Sequence, residues 1–597
     1  MSLLEIEGLK LSIGGAPILE DIDLAVDAGE VMGLVGESGS GKSMTALSVM
    51  QLLPRGARTG GRVIFDGIDI LSATEDQMNA LRGDDIGMVF QEPMTALNPV
   101  KTIGEQVAEG IRWHARVARA EAEERARRIL DRVGLPAARF PLSRYPHQLS
   151  GGQRQRVVIA IATALKPKLL IADEPTTALD VVLQAQILEL LRELVHEDRS
   201  GLLLISHDLA VVTEMADRIT ILRDGAVMEA GETARVLSAQ THPYTRQLAQ
   251  ASMHVPAVRR GTLEPPISPL VGEMAGRPEG GAVPPASPIG SEAGSRNGPR
   301  PTLPPSALPA ISPTRGEIGS VDGATPLLSV SNVVKDYPGE RRSLFARPTP
   351  FRAVDGVSFD MRPRQSIALV GRSGCGKSTL ARMILALERP TAGSISIAGS
   401  ELTTRTEDEL KPLRRNMQVV FQDPYGSFNP RHKVERLVAE PLHLMERKPD
   451  AAERREMVRA ALHEVGLAPS DLDKYPHEFS GGQRQRLSIA RALITRPKLI
   501  VADEPVSALD VSIRAQVLDL FADLNHRLGV AYLFITHDLT VARAITDEVM
   551  VMHEGRIVER GRTDAVLDNP RSDAARQLVE AAPDLQRAIA GRLQEQG

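Results

Sequence analysis

The sequence has almost no cysteine and no long hydrophobic run. Its 597 residues include one cysteine, Cys375, which excludes a disulfide framework, a structural zinc site and a cysteine-held iron–sulfur cluster within one chain. No stretch approaches the roughly 18 consecutive apolar residues of a membrane-spanning helix. The opening residues, MSLLEIEGLK, lack the basic region and apolar run of a secretory signal. From these absences we expect a soluble, cytoplasmic protein.

The sequence also lacks a large excess of either charge. It has 71 Lys and Arg residues against 76 Asp and Glu residues, a net charge of −5. The chain as a whole therefore has no strong electrostatic attraction to nucleic acid or to anionic lipid. Hydrophobic residues make up 42% of the chain and charged residues 25%, which is the balance of an ordinary globular protein.

An internal repeat divides the chain into two similar halves. The segment YPHQLSGGQRQRVVIAIATALKPKLLIADEPTTALD begins at Tyr145, and YPHEFSGGQRQRLSIARALITRPKLIVADEPVSALD begins at Tyr475. The same offset of 330 residues relates Glu174 to Glu504. A register that is held over such a length indicates two tandem copies of one domain of roughly 250 residues.

A segment rich in proline and glycine separates the two copies. Residues 261–326 contain 14 Pro and 11 Gly but no Phe, Tyr or Trp. They cannot bury enough apolar surface to offset the entropy cost of ordering. We therefore predict a first domain over 1–252, a flexible linker over 253–326, a second domain over 327–583 and a C-terminal tail over 584–597. Such a linker is long enough to let the two domains meet face to face.

Each half contains a glycine-rich loop between an apolar strand and an amphipathic helix. GESGSGKS and GRSGCGKS both fit the pattern G-x-x-x-x-G-K-[ST] in this context. The glycines let backbone N–H groups turn toward an anion, and the helix N-terminus adds a favourable dipole. We predict that Lys42 and Lys377 reach the β- and γ-phosphates of a nucleotide, and that Ser43 and Ser378 bind Mg²⁺. The predicted nucleotide-binding residues are Gly36, Glu37, Ser38, Gly39, Ser40, Gly41, Lys42 and Ser43 in the first loop, and Gly371, Arg372, Ser373, Gly374, Cys375, Gly376, Lys377 and Ser378 in the second.

A pair of acidic residues follows a predicted buried strand in each half. LLIADEP and LIVADEP place Asp173–Glu174 and Asp503–Glu504 directly after four apolar residues. We predict that the first carboxylate of each pair acts on Mg²⁺ and that the second polarises the water that attacks the γ-phosphate. Adjacent acids after a strand can also cap a helix. The glycine-rich loop upstream favours the catalytic interpretation.

At SGGQ the chain resembles the ATP-binding cassette family of transporter ATPases. LSGGQ and FSGGQ look like the family signature, which closes over the γ-phosphate that is held by the opposite cassette. The resemblance implies this role for Ser150, Gly151, Gly152 and Gln153 in the first half, and for Ser480, Gly481, Gly482 and Gln483 in the second. It further implies that the Q-loop glutamines Gln91 and Gln422 act in catalysis and on the metal. The D-loop aspartates would be Asp180 and Asp510, and the switch histidines would be His207 and His537.

The resemblance implies an α/β fold with two tandem P-loop NTPase domains. Each would have a RecA-like α/β core, an antiparallel β subdomain and a helical subdomain, and the two would pair within one chain to form two composite ATP sites. Since neither half has lost its glutamate or its signature serine, we expect both sites to hydrolyse ATP. In the family an aromatic residue ahead of the loop stacks on adenine. Tyr337 fits that position, but the first half has Ile13 there, so we expect the first loop to bind ATP more weakly.

Within the family, the chain is most similar to the dipeptide/oligopeptide importer ATPases. The segments FQEPMTALNP and FQDPYGSFNP resemble the Q-loop segments of these ATPases. The segment THPYTRQLAQA over 241–251 resembles their C-terminal His-Pro-Tyr motif. The second half has NPRSDAARQLVEAAPDL there, without His and Tyr. The resemblance implies an importer of dipeptides, oligopeptides or glutathione that uses ATP and Mg²⁺. It also implies two transmembrane permease subunits, a periplasmic solute-binding protein, no nucleic acid, and a peripheral position on the cytoplasmic face of the inner membrane.

The sequence leaves other functions open. An ATPase that serves a nickel, opine or sugar importer would have nearly the same cassettes, because the permeases and the binding protein select the solute. A soluble tandem-cassette translation factor also lacks membrane spans. Its linker, however, is typically a charged helix, whereas 261–326 has four Arg, six acidic residues and too much proline for a long helix. A DNA-repair cassette ATPase with zinc modules does not fit one cysteine.

Overall fold

The chain forms two α/β domains whose elements follow each other in the same order. The computed structural model describes residues 2–177, 179–256, 325–339, 350–507 and 509–595. Of the predicted linker over 253–326, only 253–256 and 325–326 fall within these ranges, and the rest lies outside the described residues.

The first domain contains ten strands and ten helices in its described residues. The strands are β1 Leu4–Ile13, β2 Ala16–Val26, β3 Val31–Val35, β4 Ala57–Phe65, β5 Ile68–Asp69, β6 Ile86–Val89, β7 Leu169–Asp173, β8 Gly201–Ser206, β9 Arg218–Arg223 and β10 Ala226–Glu232. The helices are α1 Lys42–Val49, α2 Glu75–Leu81, α3 Pro93–Ala96, α4 Ile103–Ala115, α5 Arg119–Arg132, α6 Gly151–Ala162, α7 Val181–Asp198, α8 Leu209–Met215, α9 Thr233–Ala239 and α10 Pro243–Ser252.

The second domain repeats this order and adds one helix at its end. Its strands are β11 Leu328–Tyr337, β12 Phe351–Met361, β13 Ser366–Val370, β14 Ala392–Ile397, β15 Ser400–Glu401, β16 Met417–Val420, β17 Leu499–Asp503, β18 Ala531–Ile535, β19 Glu548–His553 and β20 Arg556–Arg562. Its helices are α11 Lys377–Ile384, α12 Glu407–Arg414, α13 Pro424–Ser427, α14 Val434–Val438, α15 Ala451–Glu464, α16 Gly481–Leu493, α17 Val511–Leu528, α18 Leu539–Ile545, α19 Thr563–Asp568, α20 Asp573–Ala581 and α21 Leu585–Glu595. No helix in the described ranges is both long enough and apolar enough to cross a membrane.

A six-stranded sheet forms the core of each domain. In the first domain its order is β10-β9-β3-β8-β7-β6, and β3, β6, β7, β8 and β9 are parallel. Strands β3, β7 and β8 are buried along their whole length, because helices cover both faces of a parallel sheet. The same strand order recurs in the second domain. The loops that follow parallel strands meet at the carboxyl edge of the sheet, which is where open α/β sheets bind their ligands.

An antiparallel sheet and a helical region complete each domain. The antiparallel sheets have the orders β2-β1-β4-β5 and β12-β11-β14-β15. Helices α4, α5 and α6 pack together in the first domain, and α14, α15 and α16 do so in the second. Helix α4 begins at a capping box in which Thr102 and Glu105 satisfy each other's backbone N–H groups. The predicted fold class is confirmed.

Helices at the end of each domain pack against the other domain. Helix α10 contacts α17, and α20 contacts α7. His254 Nε2 lies 2.9 Å from Asp519 Oδ1 across the same interface. Residues 584–597, predicted as a tail, largely form α21, which packs on α8 and α9 of the first domain. There the guanidinium of Arg592 donates to the Thr213 carbonyl oxygen at 3.1 Å.

Candidate active sites

The first glycine-rich loop connects β3 to α1. Gly39 and Gly41 have φ values of +82° and +102°, a region that glycine enters without steric cost. The ammonium group of Lys42 donates to the carbonyl oxygens of Gly36 at 2.7 Å and Glu37 at 2.9 Å. The lysine thus bridges the loop and holds it curved at the N-terminus of α1, which is the geometry of an anion-binding nest.

The second loop, between β13 and α11, has the same geometry. Gly374 and Gly376 have φ values of +79° and +109°. Lys377 donates to the carbonyl oxygens of Gly371 at 2.7 Å and Arg372 at 3.0 Å. The predicted phosphate loops therefore share the conformation of these two glycines and the hydrogen bonds of the lysine in both domains.

Glu174 is the centre of a hydrogen-bonded group at the carboxyl end of β7. Gln91 Nε2 donates to Glu174 Oε2 at 2.9 Å, and the Thr177 hydroxyl donates to the same oxygen at 3.0 Å. His207 Nδ1 lies 3.1 Å from Glu174 Oε1. The fold thus brings together three residues that the sequence analysis selected from distant motifs. Thr177 also belongs to this group, although no spacing rule in the sequence predicts it.

The equivalent group in the second domain is built on Glu504. Gln422 Nε2 donates to Glu504 Oε2 at 2.6 Å, and His537 Nδ1 lies 2.9 Å from Glu504 Oε1. Glu174 and Glu504 both have positive φ values, +48° and +47°, which cost a non-glycine residue roughly 1–2 kcal/mol. The recurrence of this conformation indicates that the fold fixes the direction of both carboxylates.

The glutamate of each pair raises the pKa of its histidine. Burial opposes the charged form of His207, but the hydrogen bond to Glu174 and the negative charge of that residue raise the His207 pKa above 6.5. Burial likewise opposes the charged form of Glu174, but His207 outweighs it and the pKa of Glu174 falls from 4.5 to about 2. The pKa of His537 is also raised, because Glu504 outweighs its burial. Each histidine is therefore held close to a negative charge.

Asp173, at the end of β7, has the surroundings that a metal-binding carboxylate needs. It is buried, and its Oδ1 atom has no hydrogen-bond donor among the described residues. Burial raises the pKa of Asp173, whereas a hydrogen bond from Ser43 lowers it. Burial and the charge of Glu504 similarly raise the pKa of Asp503 at the end of β17. A buried carboxylate oxygen beside a serine hydroxyl fits Mg²⁺, which prefers oxygen ligands.

The two signature serines begin helices α6 and α16. The Ser150 hydroxyl accepts from the Gln153 N–H at 3.4 Å, and Gln153 Oε1 accepts from the Ser150 N–H at 3.0 Å. Ser480 and Gln483 form the same capping box at the same distances. Both serines are exposed, so each signature presents a capped helix N-terminus, where negative charge is stabilised.

Each phosphate loop is contacted by the other domain. The Ser38 N–H donates to Asp510 Oδ1 at 2.6 Å, and the Ser373 N–H donates to Asp180 Oδ2 at 2.9 Å. Asp510 directly precedes α17 and Asp180 directly precedes α7. The reciprocal contacts bring each loop to the D-loop of the opposite domain.

The second signature lies close to the helix that follows its D-loop. A Cβ atom on Gly482 would lie 2.4 Å from Ile513 Cγ2 on the first turn of α17, so only glycine allows this approach. In the first domain, a Cβ atom on Gly152 would lie 3.1 Å from Leu183 on α7. Each signature is therefore packed beside the D-loop that contacts the opposite phosphate loop.

Tyr337 and Ile13 occupy corresponding places, as the last residues of β11 and β1. The Tyr337 hydroxyl donates to Glu388 Oε2 at 2.8 Å, and Lys335 Nζ lies 5.2 Å from the centre of its ring. Ile13 packs against the hydrophobic cluster of the antiparallel sheet. The stacking of Tyr337 on adenine stays a prediction.

A cavity of about 380 Å³ lies between the domains, beside the Glu174–His207 pair and His537. Its lining includes Glu174, His207, His537 and Arg514. Arg514 forms an ion pair with Asp538 at 2.8 Å, and its positive charge opposes the rise in the pKa of His207. The repeat places Gln184 at the position equivalent to Arg514 in the first domain. No motif in the sequence marks this cavity.

Comparison with known families defines the class of the protein. The model of the ABC transporter family matches residues 19–177 and 354–507. The model of the C-terminal region of oligopeptide/dipeptide transporters matches residues 228–276, which include the His-Pro-Tyr segment. The chain belongs to the ABC transporter family, and it is an ATP-binding ATPase subunit with the C-terminal region of the oligopeptide/dipeptide transporters.

Individual relatives match nearly the whole chain. The glutathione import ATP-binding protein GsiA of Salmonella choleraesuis (strain SC-B67) is 43% identical over 574 residues, which cover 95% of this chain and 86% of the relative. GsiA of Escherichia coli (strain K12) is 43% identical over 578 residues, again 95% of this chain and 86% of the relative. The solved structure of the MJ0796 cassette dimer with ADP and Pi aligns over 40% of this chain and 98% of its own, with 27% identity and a TM-score of 0.35.

Proposed function

We propose that the chain hydrolyses ATP at two composite sites and thereby drives the import of small peptides of the glutathione type. The observation that carries this proposal is the reciprocal contact of each phosphate loop with the opposite D-loop aspartate. The relatives named as glutathione importers and the oligopeptide/dipeptide C-terminal region support the choice of substrate. Two membrane permeases and a periplasmic solute-binding protein would complete the importer at the cytoplasmic face of the inner membrane, and nucleic acid has no part in it.

Each proposed site combines the phosphate loop of one domain with the signature of the other. The first consists of the loop over Gly36–Ser43 with Gln91, Asp173, Glu174 and His207, closed by Ser480, Gly481, Gly482 and Gln483. The second consists of the loop over Gly371–Ser378 with Gln422, Asp503, Glu504 and His537, closed by Ser150, Gly151, Gly152 and Gln153. When the domains close, a helix N-terminus faces the γ-phosphate in each site, which favours its negative charge.

In this proposal Glu174 and Glu504 orient and polarise the attacking water. The hydrogen bonds from Gln91 and Gln422 and the contacts with His207 and His537 hold the carboxylates in place. Mg²⁺, when bound, neutralises charge on the β- and γ-phosphate oxygens. The residues that would hold it are Ser43, Gln91 and Asp173 in the first site, and Ser378, Gln422 and Asp503 in the second.

The helical region of each domain is the proposed docking surface for a permease. In the first domain, Trp113 on α4 is 73% exposed and Val100, just before α4, is 79% exposed. These exposed side chains offer apolar surface that a protein partner can bury on binding. Closure of the domains on ATP and their release after hydrolysis would move the permeases between two states through such contacts.

Single-turnover hydrolysis of ATP in the full chain tests the two-site mechanism. We expect Glu174→Gln and Glu504→Gln each to leave hydrolysis at the other site and the double variant to leave none. If one single variant abolishes all hydrolysis and the other changes nothing, only one site is catalytic. The substrate is tested in vesicles that contain the permeases, with the binding protein added. Glutathione and dipeptides should stimulate ATP hydrolysis, and stimulation by nickel or a sugar alone would reject the peptide assignment.

A further inference from the structure

The His-Pro-Tyr segment is anchored at the start of α10 by a carboxylate from β10. Glu229 accepts hydrogen bonds from the N–H groups of Thr241 at 3.2 Å and His242 at 3.1 Å. His242 Nδ1 accepts from the Tyr244 N–H at 3.2 Å and so caps the helix, with Pro243 as its first residue. These bonds fix the backbone of Tyr244.

The side chain of Tyr244 reaches the first phosphate loop, 207 residues away in the sequence. Its hydroxyl donates to Glu37 Oε2 at 3.3 Å. The tyrosine is 3% exposed, and the guanidinium carbon of Arg223 lies 4.8 Å from the centre of its ring. Burial and the nearby negative charge of Glu37 raise the pKa of the Tyr244 hydroxyl. The hydroxyl therefore stays protonated and acts as a donor to the carboxylate.

The second domain has the same anchor but lacks this contact. Glu559 accepts from the N–H groups of Arg571 at 3.0 Å and Ser572 at 2.8 Å, and Ser572 caps α20. The residue in the place of Tyr244 is Ala574, and the residue in the place of Glu37 is Arg372. The tyrosine is thus present in the domain whose phosphate loop carries an acidic side chain and absent in the domain whose loop carries a basic one.

An acidic side chain in a phosphate loop opposes the binding of phosphate unless it is held in place. Glu37 directly follows Gly36, and its carbonyl oxygen accepts from the Lys42 ammonium at 2.9 Å. A carboxylate that swings toward the nucleotide would add a negative charge beside the phosphates and weaken their binding. The hydrogen bond from the Tyr244 hydroxyl restrains the carboxylate and so opposes this movement.

We propose that Tyr244 is a positioning residue for the first phosphate loop, whose hydroxyl holds the Glu37 carboxylate away from the phosphates of ATP. The inference rests on the proposed binding of ATP by this loop. It gives the tyrosine of the His-Pro-Tyr segment a role in nucleotide affinity rather than in packing alone. The effect is confined to one of the two sites.

The test measures ATP binding to the first loop in the full chain. The parent carries Lys377→Ala, so that the second loop does not bind. We expect Tyr244→Phe, which keeps the ring, to weaken ATP binding roughly three- to tenfold, the loss of one hydrogen bond. Adding Glu37→Gln should restore the affinity, because the neutral amide no longer repels the phosphates. A purely structural role for Tyr244 predicts no such restoration.

Tyr532→Phe is the matched control, since Tyr532 is buried and its hydroxyl has no hydrogen-bond partner among the described residues. It should bind ATP as the parent does. Unchanged affinity in Tyr244→Phe, or no restoration by Glu37→Gln, overturns the proposal. A parent chain that binds no ATP overturns the proposed first site itself, and this inference with it.

A reciprocal design in the second loop keeps the proposal testable if Tyr244→Phe does not fold. In a chain with Lys42→Ala, Arg372→Glu is expected to weaken ATP binding, and Ala574→Tyr added to it is expected to recover part of the loss. Recovery supports the role of the tyrosine. No recovery overturns it.

Discussion

The Asp510→Ala variant tests the contact between the domains without changing the capping of α17, the helix that follows Asp510. Asp510 accepts from the Ser38 N–H at 2.6 Å but makes no side-chain capping bond to α17. Its counterpart Asp180 accepts from the Ser373 N–H at 2.9 Å and also caps α7 by accepting from the Leu183 N–H at 3.1 Å. Asp510→Ala therefore removes the contact with the opposite loop and leaves the capping of its helix unchanged, whereas Asp180→Ala removes the corresponding contact and a helix cap.

The expected magnitudes follow from these bonds. A hydrogen bond to a charged acceptor contributes about 1.5–3 kcal/mol. The contact of Asp510 with Ser38 is exposed to solvent, so we take the lower end, about 1.5 kcal/mol, which is roughly tenfold in ATP affinity at the first site. Asp180→Ala also removes the N-cap of α7, which lowers the free energy of unfolding by about 1 kcal/mol.

Equilibrium ATP binding and thermal unfolding of the two variants provide the assay. Each variant is measured in a chain whose other loop is disabled, by Lys377→Ala for Asp510→Ala and by Lys42→Ala for Asp180→Ala. We expect both to lose ATP affinity, and Asp180→Ala alone to lose appreciable thermal stability. An Asp510→Ala chain that binds ATP as its parent does, or that is destabilised as much as Asp180→Ala, would refute the role assigned to this contact.

Three further predictions concern pH, the last helix and the thiol. Because Glu174 raises the pKa of His207 above 6.5, the stability from this pair is fully present below pH 6.5 and is lost as the pH rises through the raised value. Thermal unfolding from pH 6 to 9 should therefore show a smaller loss in Glu174→Gln than in the unmodified chain, and equal losses would contradict it. Deletion of 585–597 removes Leu585, which is buried in the core of the first domain. It should lower the free energy of unfolding by about 2 kcal/mol or more, and calorimetry showing an unchanged melting temperature would argue against it. Burial raises the pKa of the Cys375 thiol, so mass spectrometry should find it alkylated by iodoacetamide at pH 7 far more slowly than in the unfolded chain, and equal rates would be the contrary result.

The parts of the fold and site that depend on local chemistry could be predicted from the sequence. Runs such as VMGLV and LLIA are apolar throughout because both faces of the central sheet are covered. The phosphate loops follow from glycine spacing, because a backbone nest requires glycine at fixed positions. The grouping of Gln91, Glu174 and His207 follows from strand ends that meet at one edge of a parallel sheet.

The parts that depend on contacts between distant segments could not be predicted. Helix α21 lies in residues predicted as a tail, because its apolar residues Leu585 and Ile589 are buried only against the other domain. The contact of Tyr244 with Glu37 joins residues 207 positions apart, and no periodicity marks it. The positive φ of Glu174 is unexpected from residue type, since glutamate rarely adopts that conformation without tertiary support.

The central claim is that each ATP site combines the loop of one domain with the signature of the other, and paired variants test it most directly. Ser480→Asp keeps a good helix cap but places a negative charge where the γ-phosphate would bind. If Ser480 closes the site of Glu174, Ser480→Asp with Glu504→Gln should abolish single-turnover ATP hydrolysis. Ser480→Asp with Glu174→Gln should retain the turnover of the second site. The opposite pattern would show that each domain closes its own site and would contradict the account.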